Sequence, residues 1–152
     1  MLTSGSNQLG QLGLGDIARE DKFTRVPLPG HASSVSVGGG SPDSHTLALV
    51  EGVPYGWGFD EGGEIGDGST VSKYTPVVAS ELITYGFTAL KASGHSSLGL
   101  ADGKVYAWGE NLSGELGTGG ANPARRSWSI AARWKFLATR STATEPIARR
   151  RL

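Results

Sequence analysis

The chain has 152 residues, no cysteine and a formal net charge of +0 at pH 7. The lack of cysteine excludes disulfide frameworks, thiol nucleophiles and cysteine-ligated zinc. No apolar run approaches the roughly 20 residues that a membrane-spanning helix needs, and the start lacks the basic and apolar regions of a signal peptide, so we expect an intracellular protein, cytoplasmic or nuclear.

The neutral total hides two segments of opposite charge. Residues 1–120 carry six Lys and Arg, thirteen Asp and Glu, and all 24 glycines. Residues 121–152 carry eight Lys and Arg, one acidic residue and no glycine. Such asymmetry indicates two parts with different organisation. We therefore predict a folded domain over 1–120 and a basic tail over 121–152 that is disordered or weakly helical.

A twelve-residue pattern, W-G-x-[ND]-x-x-G-[EQ]-[LI]-G-x-G, occurs three times before the tail. The copies span 4–15, 57–68 and 108–119, and Ser4 replaces the tryptophan of the first copy. We predict a structural role for the recurring residues, which are Gly5, Asn7, Gly10, Gly13, Gly15, Trp57, Gly58, Asp60, Gly63, Gly66, Gly68, Trp108, Gly109, Asn111, Gly114, Gly117 and Gly119. A period near 50 residues with several short strands per unit favours β-propeller blades over a helical solenoid.

The strands follow from alternating apolar residues. Such alternation on both sides of Glu51-Gly52 and Asp102-Gly103 predicts two β-hairpins, over 45–58 and 96–109. Further strands are predicted over 34–38, 75–79 and 87–92. No such hairpin precedes Gly5, so the sequence begins inside a repeat and holds about two and a half repeats.

These repeats resemble those of the regulator of chromosome condensation family. The resemblance covers residues 4–15, 34–68 and 87–119. It implies an all-β fold of β-propeller blades, about two to three four-stranded blades here, in a family whose complete members close a ring of seven. We therefore expect a piece of a longer protein. Kelch repeats have a similar period and are the alternative, but Gly-[EQ]-[LI]-Gly-x-Gly is not their signature.

No catalytic, cofactor-binding or metal-ligating residue is predicted. Gly103-Lys104 is followed by Val105, where a phosphate-binding P-loop needs Ser or Thr. The acidic residues of the second motif lack the ligand spacing of an EF-hand and do not recur as a set in the other copies. We predict instead that they form a solvated acidic rim; they are Asp60, Glu61, Glu64 and Asp67.

The polar residues of the repeats are assigned structural roles. Asn7, Asp60 and Asn111 tolerate the left-handed conformation and can bond their own backbone two residues on. Asn111-Leu112-Ser113 is also a glycosylation sequon, open only in a secreted chain. No nucleophile or carboxylate pattern supports catalysis by His45. The resemblance suggests instead that His45 forms a hydrogen bond between strands inside a blade.

The apolar residues of the motif are predicted to hold its loops against the blades. Trp57 and Trp108 occupy the tryptophan position of the repeat, which makes blade packing their expected role. The loop anchors are predicted to be Leu9, Leu12, Ile65, Leu112 and Leu116. The loops themselves would lie at propeller rims, where binding residues are usually found.

The tail shows one weak pattern. Ile130, Trp134 and Leu137 recur at helical spacing among Arg and Lys. A basic amphipathic helix of this kind lies on membranes or nucleic acid. The alternative is a disordered terminus unrelated to the repeats.

The leading functional hypothesis is a non-enzymatic module that binds protein, with no cofactor. The resemblance also implies a second hypothesis, a guanine-nucleotide exchange factor acting on a small GTPase. A third is association with chromatin or nucleic acid through the basic tail. The remaining blades would come from missing chain or from self-association.

Overall fold

The computed structural model describes residues 1–119, and these form three antiparallel sheets. The first sheet pairs β1 (Leu2–Gly5) with β2 (Glu20–Arg25). The second has the order β3 (Ala32–Gly39), β4 (Ser44–Val50), β5 (Val53–Gly58), β6 (Lys73–Val78). The third has the order β7 (Ala89–Ser93), β8 (Ser96–Ala101), β9 (Lys104–Gly109). A single 3₁₀ turn, Ile83–Tyr85, is the one helical element in this range. The predicted all-β fold is confirmed.

Both predicted hairpins are present. Glu51 and Gly52, with φ of 51° and 82°, connect β4 to β5. Asp102 and Gly103, with φ of 49° and 68°, connect β8 to β9 in the same way. Positive φ at both central residues is typical of the two-residue turns whose twist matches that of antiparallel strands.

The sequence did not predict the first sheet. In this sheet Leu2 pairs with Arg25 and Gly5 with Glu20. In the second sheet Gly58 pairs with Lys73, so β1 and β2 are the counterparts of β5 and β6. The first sheet therefore contains only the third and fourth strands of a blade. The predicted start inside a repeat is consistent with this arrangement.

The apolar core lies between successive sheets. We call the contact between the first and second sheets the first seam, and that between the second and third sheets the second seam. The first seam buries Val26, Ala48, Val50 and Trp57. The second seam buries Leu47, Leu49, Ala79, Leu82, Phe87, Leu90, Ala92, Ala101 and Trp108. Burial between sheets is the main apolar stabilisation of this repeat architecture.

Two earlier predictions lie outside the described residues. The basic segment 121–152 is one, and the domain boundary at residue 120 is the other; both stay predictions. Within residues 1–119 no helix is long and apolar enough to cross a membrane.

Candidate functional site

The candidate site is the set of motif loops and the seams that they contact. The second residue of each motif is the glycine that ends β1, β5 or β9, namely Gly5, Gly58 or Gly109, with φ of 113°, 94° and 102°. A Cβ on Gly109 would lie 2.8 Å from the carbonyl oxygen of His95. Glycine is required there because the loop starts pressed against the turn that precedes β8.

The Asn or Asp of each motif closes its own loop. The Oδ1 atoms of Asn7, Asp60 and Asn111 accept backbone N–H bonds at 2.9, 2.9 and 3.1 Å. The donors lie five residues on and are Leu12, Ile65 and Leu116. The prediction of a left-handed backbone and a bond two residues on is wrong, because among non-glycine residues of 1–119 only Glu51 and Asp102 have positive φ. The side chain instead accepts the backbone N–H five residues on and so closes the whole turn.

The apolar anchors are the residues that donate these bonds. Leu12, Ile65 and Leu116 are buried, with exposed fractions of 6%, 0% and 2%. Leu9 is only half-buried. Leu112 is 57% exposed, so its predicted role as an anchor is wrong.

The Gln or Glu of each motif makes a second closing bond. Its side-chain oxygen accepts the backbone N–H two residues earlier at 2.9 Å in all three copies. These residues are Gln11, Glu64 and Glu115. Two side-chain acceptors per loop therefore fix a segment that has no sheet partner of its own.

The backbone oxygen of the same Gln or Glu forms the polar link of each seam. At the first seam the Gln11 oxygen accepts bonds from Thr46 Oγ1 at 3.1 Å and Trp57 Nε1 at 3.0 Å. At the second seam the Glu64 oxygen accepts bonds from Ser97 Oγ at 2.9 Å and Trp108 Nε1 at 2.8 Å. Each tryptophan thus packs against the preceding motif, between sheets rather than within one.

The motif glycines let the tryptophans approach this closely. A Cβ on Gly13, where φ is 73°, would lie 2.8 Å from Trp57 Nε1. A Cβ on Gly66, where φ is 79°, would lie 3.3 Å from Trp108 Nε1 and 3.0 Å from a methyl group of Leu82. Backbone conformation and space both select glycine at this position.

His45 joins the same polar link at the second seam. Its Nε2 lies 2.9 Å from Ser97 Oγ. The single Ser97 proton is donated to the Glu64 oxygen, so His45 must donate through Nε2–H. Burial lowers the pKa of His45 to about 4, which keeps the ring neutral. A histidine that donates to serine cannot act as its general base. The predicted bond inside one blade is wrong, because Ser97 belongs to the next sheet.

The predicted solvated acidic rim is wrong for two of its four members. Asp60 and Glu64 are fully buried, and burial raises the pKa of each to about 7. Glu61 is exposed. Asp67 Oδ2 lies 2.8 Å from Lys73 Nζ, which is also 3.8 Å from Asp60 Oδ2.

The second motif leaves one polar atom without a partner. At the first seam Gln11 Nε2 donates to the Pro42 oxygen at 3.4 Å. The Oε1 atom of Glu64, at the same repeat position, is buried and has no hydrogen-bond partner among the described residues. An ionised carboxylate is costly in such a place, whereas a protonated one resembles the glutamine.

The polar atoms of the two seams differ in whether they have partners. The tryptophans and the Thr46 and Ser97 hydroxyls donate to backbone oxygens, whereas His45 Nδ1 and Glu64 Oε1 are buried without a hydrogen-bond partner among the described residues. No three His, Asp or Glu side chains of residues 1–119 are grouped to hold a metal ion. Asn111 is 3% exposed and its amide nitrogen is bonded toward Thr118, so the sequon lacks an accessible acceptor in the folded chain.

The comparisons with known proteins agree with a propeller. No family model matches the chain. It is 31% identical over 123 residues to the ultraviolet-B receptor UVR8 of Arabidopsis thaliana, covering 78% of this chain and 27% of the receptor. It is 36% identical over 132 residues to the human E3 ubiquitin-protein ligase HERC2, covering 80% of this chain and 3% of the ligase. The chain thus spans only a small part of these relatives.

Solved structures share the fold. Prp20p from Saccharomyces cerevisiae, described with its binding to Gsp1p and histones, superposes with a TM-score of 0.67 at 25% identity over 78% of this chain and 31% of Prp20p. Yeast RCC1 (Prp20) bound to Kap60 gives a TM-score of 0.69 at 24% identity, over 91% of this chain and 33% of that protein. The predicted partial propeller is confirmed by these matches.

Proposed function

Because the chain belongs to the regulator of chromosome condensation repeat family, we propose that it is a non-enzymatic propeller module that binds protein through its motif loops. A propeller of this type is a known scaffold for interaction, but fold alone does not assign a partner. The support is that each motif has buried residues that hold its loop in place and an exposed residue that is free to contact a partner.

The observation that carries the proposal is the contrast between anchor and tip positions. The anchors are chemically alike and buried in every copy. The residue after each Asn or Asp, which we call the tip, is exposed in every copy and chemically different: Gln8, Glu61 and Leu112. A rigid loop with a variable exposed tip is the usual form of a binding surface on a repeat scaffold.

A pocket lies between the third motif and the turn that precedes β8. It has a volume of about 480 Å³ and is lined by Ser93, Gly94, His95, Ser96, Glu110 and Glu115. His95 Nδ1 lies 3.3 Å from Glu110 Oε2. A pocket whose lining includes Glu110 and Glu115, from the same motif as Leu112, suits a protein side chain inserted from a partner.

We expect a photo-crosslinking amino acid at Leu112 to capture a protein partner. The probes are purified core histones and a panel of purified small GTPases, because Prp20p binds proteins of these kinds. The matched control places the crosslinker at Lys104, an exposed residue at the opposite end of β9. Adducts from position 112 alone support the proposal. Equal adducts from both positions, or none from either, contradict it.

Guanine-nucleotide exchange on a small GTPase is the second candidate. It is supported by the similarity to Prp20p and needs no reactive constellation, because an exchange factor acts by competing for loops of its target. The two candidates, binding alone and nucleotide exchange, are separated by measuring whether the chain speeds the release of a fluorescent guanine nucleotide from each GTPase of the panel. Stimulated release would replace the binding-only proposal.

The proposal extends to the location of the protein, its missing blades and its basic tail. We place the protein inside the cell, in cytoplasm or nucleus, and assign its missing blades to further chain or to self-association. Nucleic-acid association through residues 121–152 remains a third candidate, since eight Lys and Arg lie there. Phosphate contacts of that kind weaken steeply with salt.

A further inference from the structure

The second seam encloses a carboxyl group between its two sheets. Glu64 is fully buried, and its side chain lies between its own loop and the start of the third motif. A Cβ on Gly62 would lie 2.7 Å from Glu64 Oε1, and a Cβ on Gly109 would lie 3.5 Å from Glu64 Cγ. Glu64 Oε2 accepts the Gly62 N–H, whereas Oε1 has no hydrogen-bond partner among residues 1–119. A negative charge on this carboxyl would therefore be only partly stabilised.

The charged groups that face Glu64 come from both sides of the seam. Burial is the main cause of the raised pKa of Glu64, and the carboxylates of Asp60 and Glu110 add to it. Asp60 belongs to the same loop, whereas Glu110 belongs to the third motif. His95 Nδ1 lies 3.3 Å from Glu110 Oε2, so this imidazole is directed at Glu110. An ionised Glu64 thus faces a like charge across the seam.

The backbone of Glu64 holds the third sheet against the second. Its carbonyl oxygen accepts the bonds from Ser97 Oγ and Trp108 Nε1. Another bond crosses the same seam between β7 and β3, where the Ala92 N–H donates to Ser36 Oγ at 3.0 Å. A charge on the Glu64 side chain therefore acts on the residue that makes the polar link of the seam.

The first seam has the same link without a titrating group. Gln11 occupies the position of Glu64, and its backbone oxygen accepts the bonds from Thr46 and Trp57. Its side chain is a neutral amide, and Nε2 donates to the Pro42 oxygen at 3.4 Å. A glutamine has no proton to release as pH rises. The two seams therefore share their bonds but differ in their response to pH.

We propose that the second seam is a pH-sensitive joint between the second and third sheets, which opens when the Glu64 carboxyl loses its proton. Proton release leaves a carboxylate that lacks a partner for Oε1 and faces Glu110. Separation of the two sheets lets water solvate both groups. The first seam stays closed over the same pH range. Local openings need less free energy than global unfolding. The inference goes beyond protein binding by the motif loops and does not depend on it.

The pH range follows from the two states of the carboxyl. Burial in the closed seam raises the pKa of Glu64 from 4.5 to about 7, and solvation in the open seam restores its ordinary value. The contribution to closure is complete below pH 4.5 and is lost as pH rises through 7. Between pH 6 and pH 8 the open population should rise about tenfold. Burial, and next the charge of His95, lowers the pKa of His45 to about 4, so His45 stays neutral throughout this range.

Amide hydrogen exchange of the full chain, followed by NMR at pH 6 and pH 8, tests the proposal. Rates are corrected for the intrinsic pH dependence of exchange. The reporter is the Ala92 N–H, whose acceptor Ser36 Oγ lies across the second seam. The internal control is the Gly15 N–H, which donates to the Tyr74 oxygen across the first seam at 2.8 Å. We expect protection of Ala92 to fall about tenfold and that of Gly15 to stay constant.

Two variants separate Glu64 from the other buried carboxyl of its loop. E64Q gives the second motif the residue of the first, and it should abolish the fall in Ala92 protection. D60N is the matched control, because Asp60 Oδ1 accepts the Ile65 N–H of its own loop and Asn keeps that acceptor. D60N should retain the fall but move its midpoint to lower pH, since one negative neighbour of Glu64 is removed.

Each outcome decides the proposal. Protection of Ala92 that does not change with pH in the wild type overturns it, as does an equal fall in E64Q. Equal falls at Ala92 and Gly15 would show a loss of global stability rather than a joint, and they also overturn it. A fall at Ala92 alone that E64Q removes and D60N retains supports it. Crosslinking at the loop tips has no bearing on these readouts.

Discussion

Replacing Trp108 with alanine is expected to lower the free energy of unfolding by about 3–5 kcal/mol, the usual cost of removing a buried aromatic side chain. Trp108 is 1% exposed, belongs to the core of the second seam and donates Nε1–H to the Glu64 oxygen. Its loss leaves a cavity and removes one of the two donors that the Glu64 oxygen has at this seam. Equilibrium urea unfolding followed by circular dichroism measures the change.

The variant W108F separates packing from hydrogen bonding. It keeps an aromatic ring and loses the indole donor, so we expect a smaller loss, about 1–2 kcal/mol. If W108A costs less than about 1 kcal/mol, Trp108 does not hold the second seam. A W108F loss equal to that of W108A would assign the whole effect to the Glu64 bond.

The double variant D60N/E64Q is expected to be more stable than the wild type at pH 8 and nearly equal to it at pH 4. Asp60 and Glu64 are fully buried, and burial raises their pKa values from 3.8 and 4.5 to about 7. The variant gives the second motif the residues of the first, Asn7 and Gln11. Asn keeps the acceptor for the Ile65 N–H, and Lys73 keeps Asp67 as its partner at 2.8 Å.

The sign follows from where each carboxyl holds its proton. A carboxyl whose pKa is higher in the folded chain than in the unfolded chain stabilises the fold while protonated. That contribution is complete below pH 4 and is lost between pH 4 and 7, because the folded chain then releases its protons last. Asp67 and Lys73 face Asp60, and Asp60 and Glu110 face Glu64. We expect about 1–3 kcal/mol for each carboxyl.

Measurement at each pH compares the variant with the wild type. The direct comparison is needed because the His45 pKa is lowered to about 4. Its contribution to the free energy of unfolding falls as pH falls, in the opposite direction to that of the two carboxyls. Q11E is the matched control: it places a carboxyl at the first seam and should destabilise the chain at pH 8 but less at pH 4. A difference between D60N/E64Q and wild type that does not change with pH would contradict the buried, protonated state.

The second and third sheets could be predicted because their signals are local. Alternating apolar residues flank Glu51-Gly52 and Asp102-Gly103, and a turn with two positive φ values needs no distant contact to form. The first sheet could not be predicted in this way. The strand β2 reads EDKFTR, with mostly exposed residues, and a solvated edge strand carries no apolar alternation.

The site was harder to predict because its contacts cross between repeats. Charged side chains are usually exposed, so the burial of Asp60 and Glu64 was missed. One signal was available in the other copies of the motif. Asn7 and Asn111 occupy the position of Asp60, and Gln11 occupies the position of Glu64. A neutral amide therefore fills the same structural role as each acid. The pairing of His45 with Ser97 has no sequence signal, because only the packing of two sheets brings these residues together.

The most direct test of the division between anchor and tip is the unfolding free energy of Q8S/E61S/L112S. All three tips are exposed, and none carries the bonds that close the loops or join the seams. We predict a change within about 0.5 kcal/mol, as for surface substitutions in general. A loss above about 1 kcal/mol would show that the tips hold the fold, and the loops would then not be free to bind a partner.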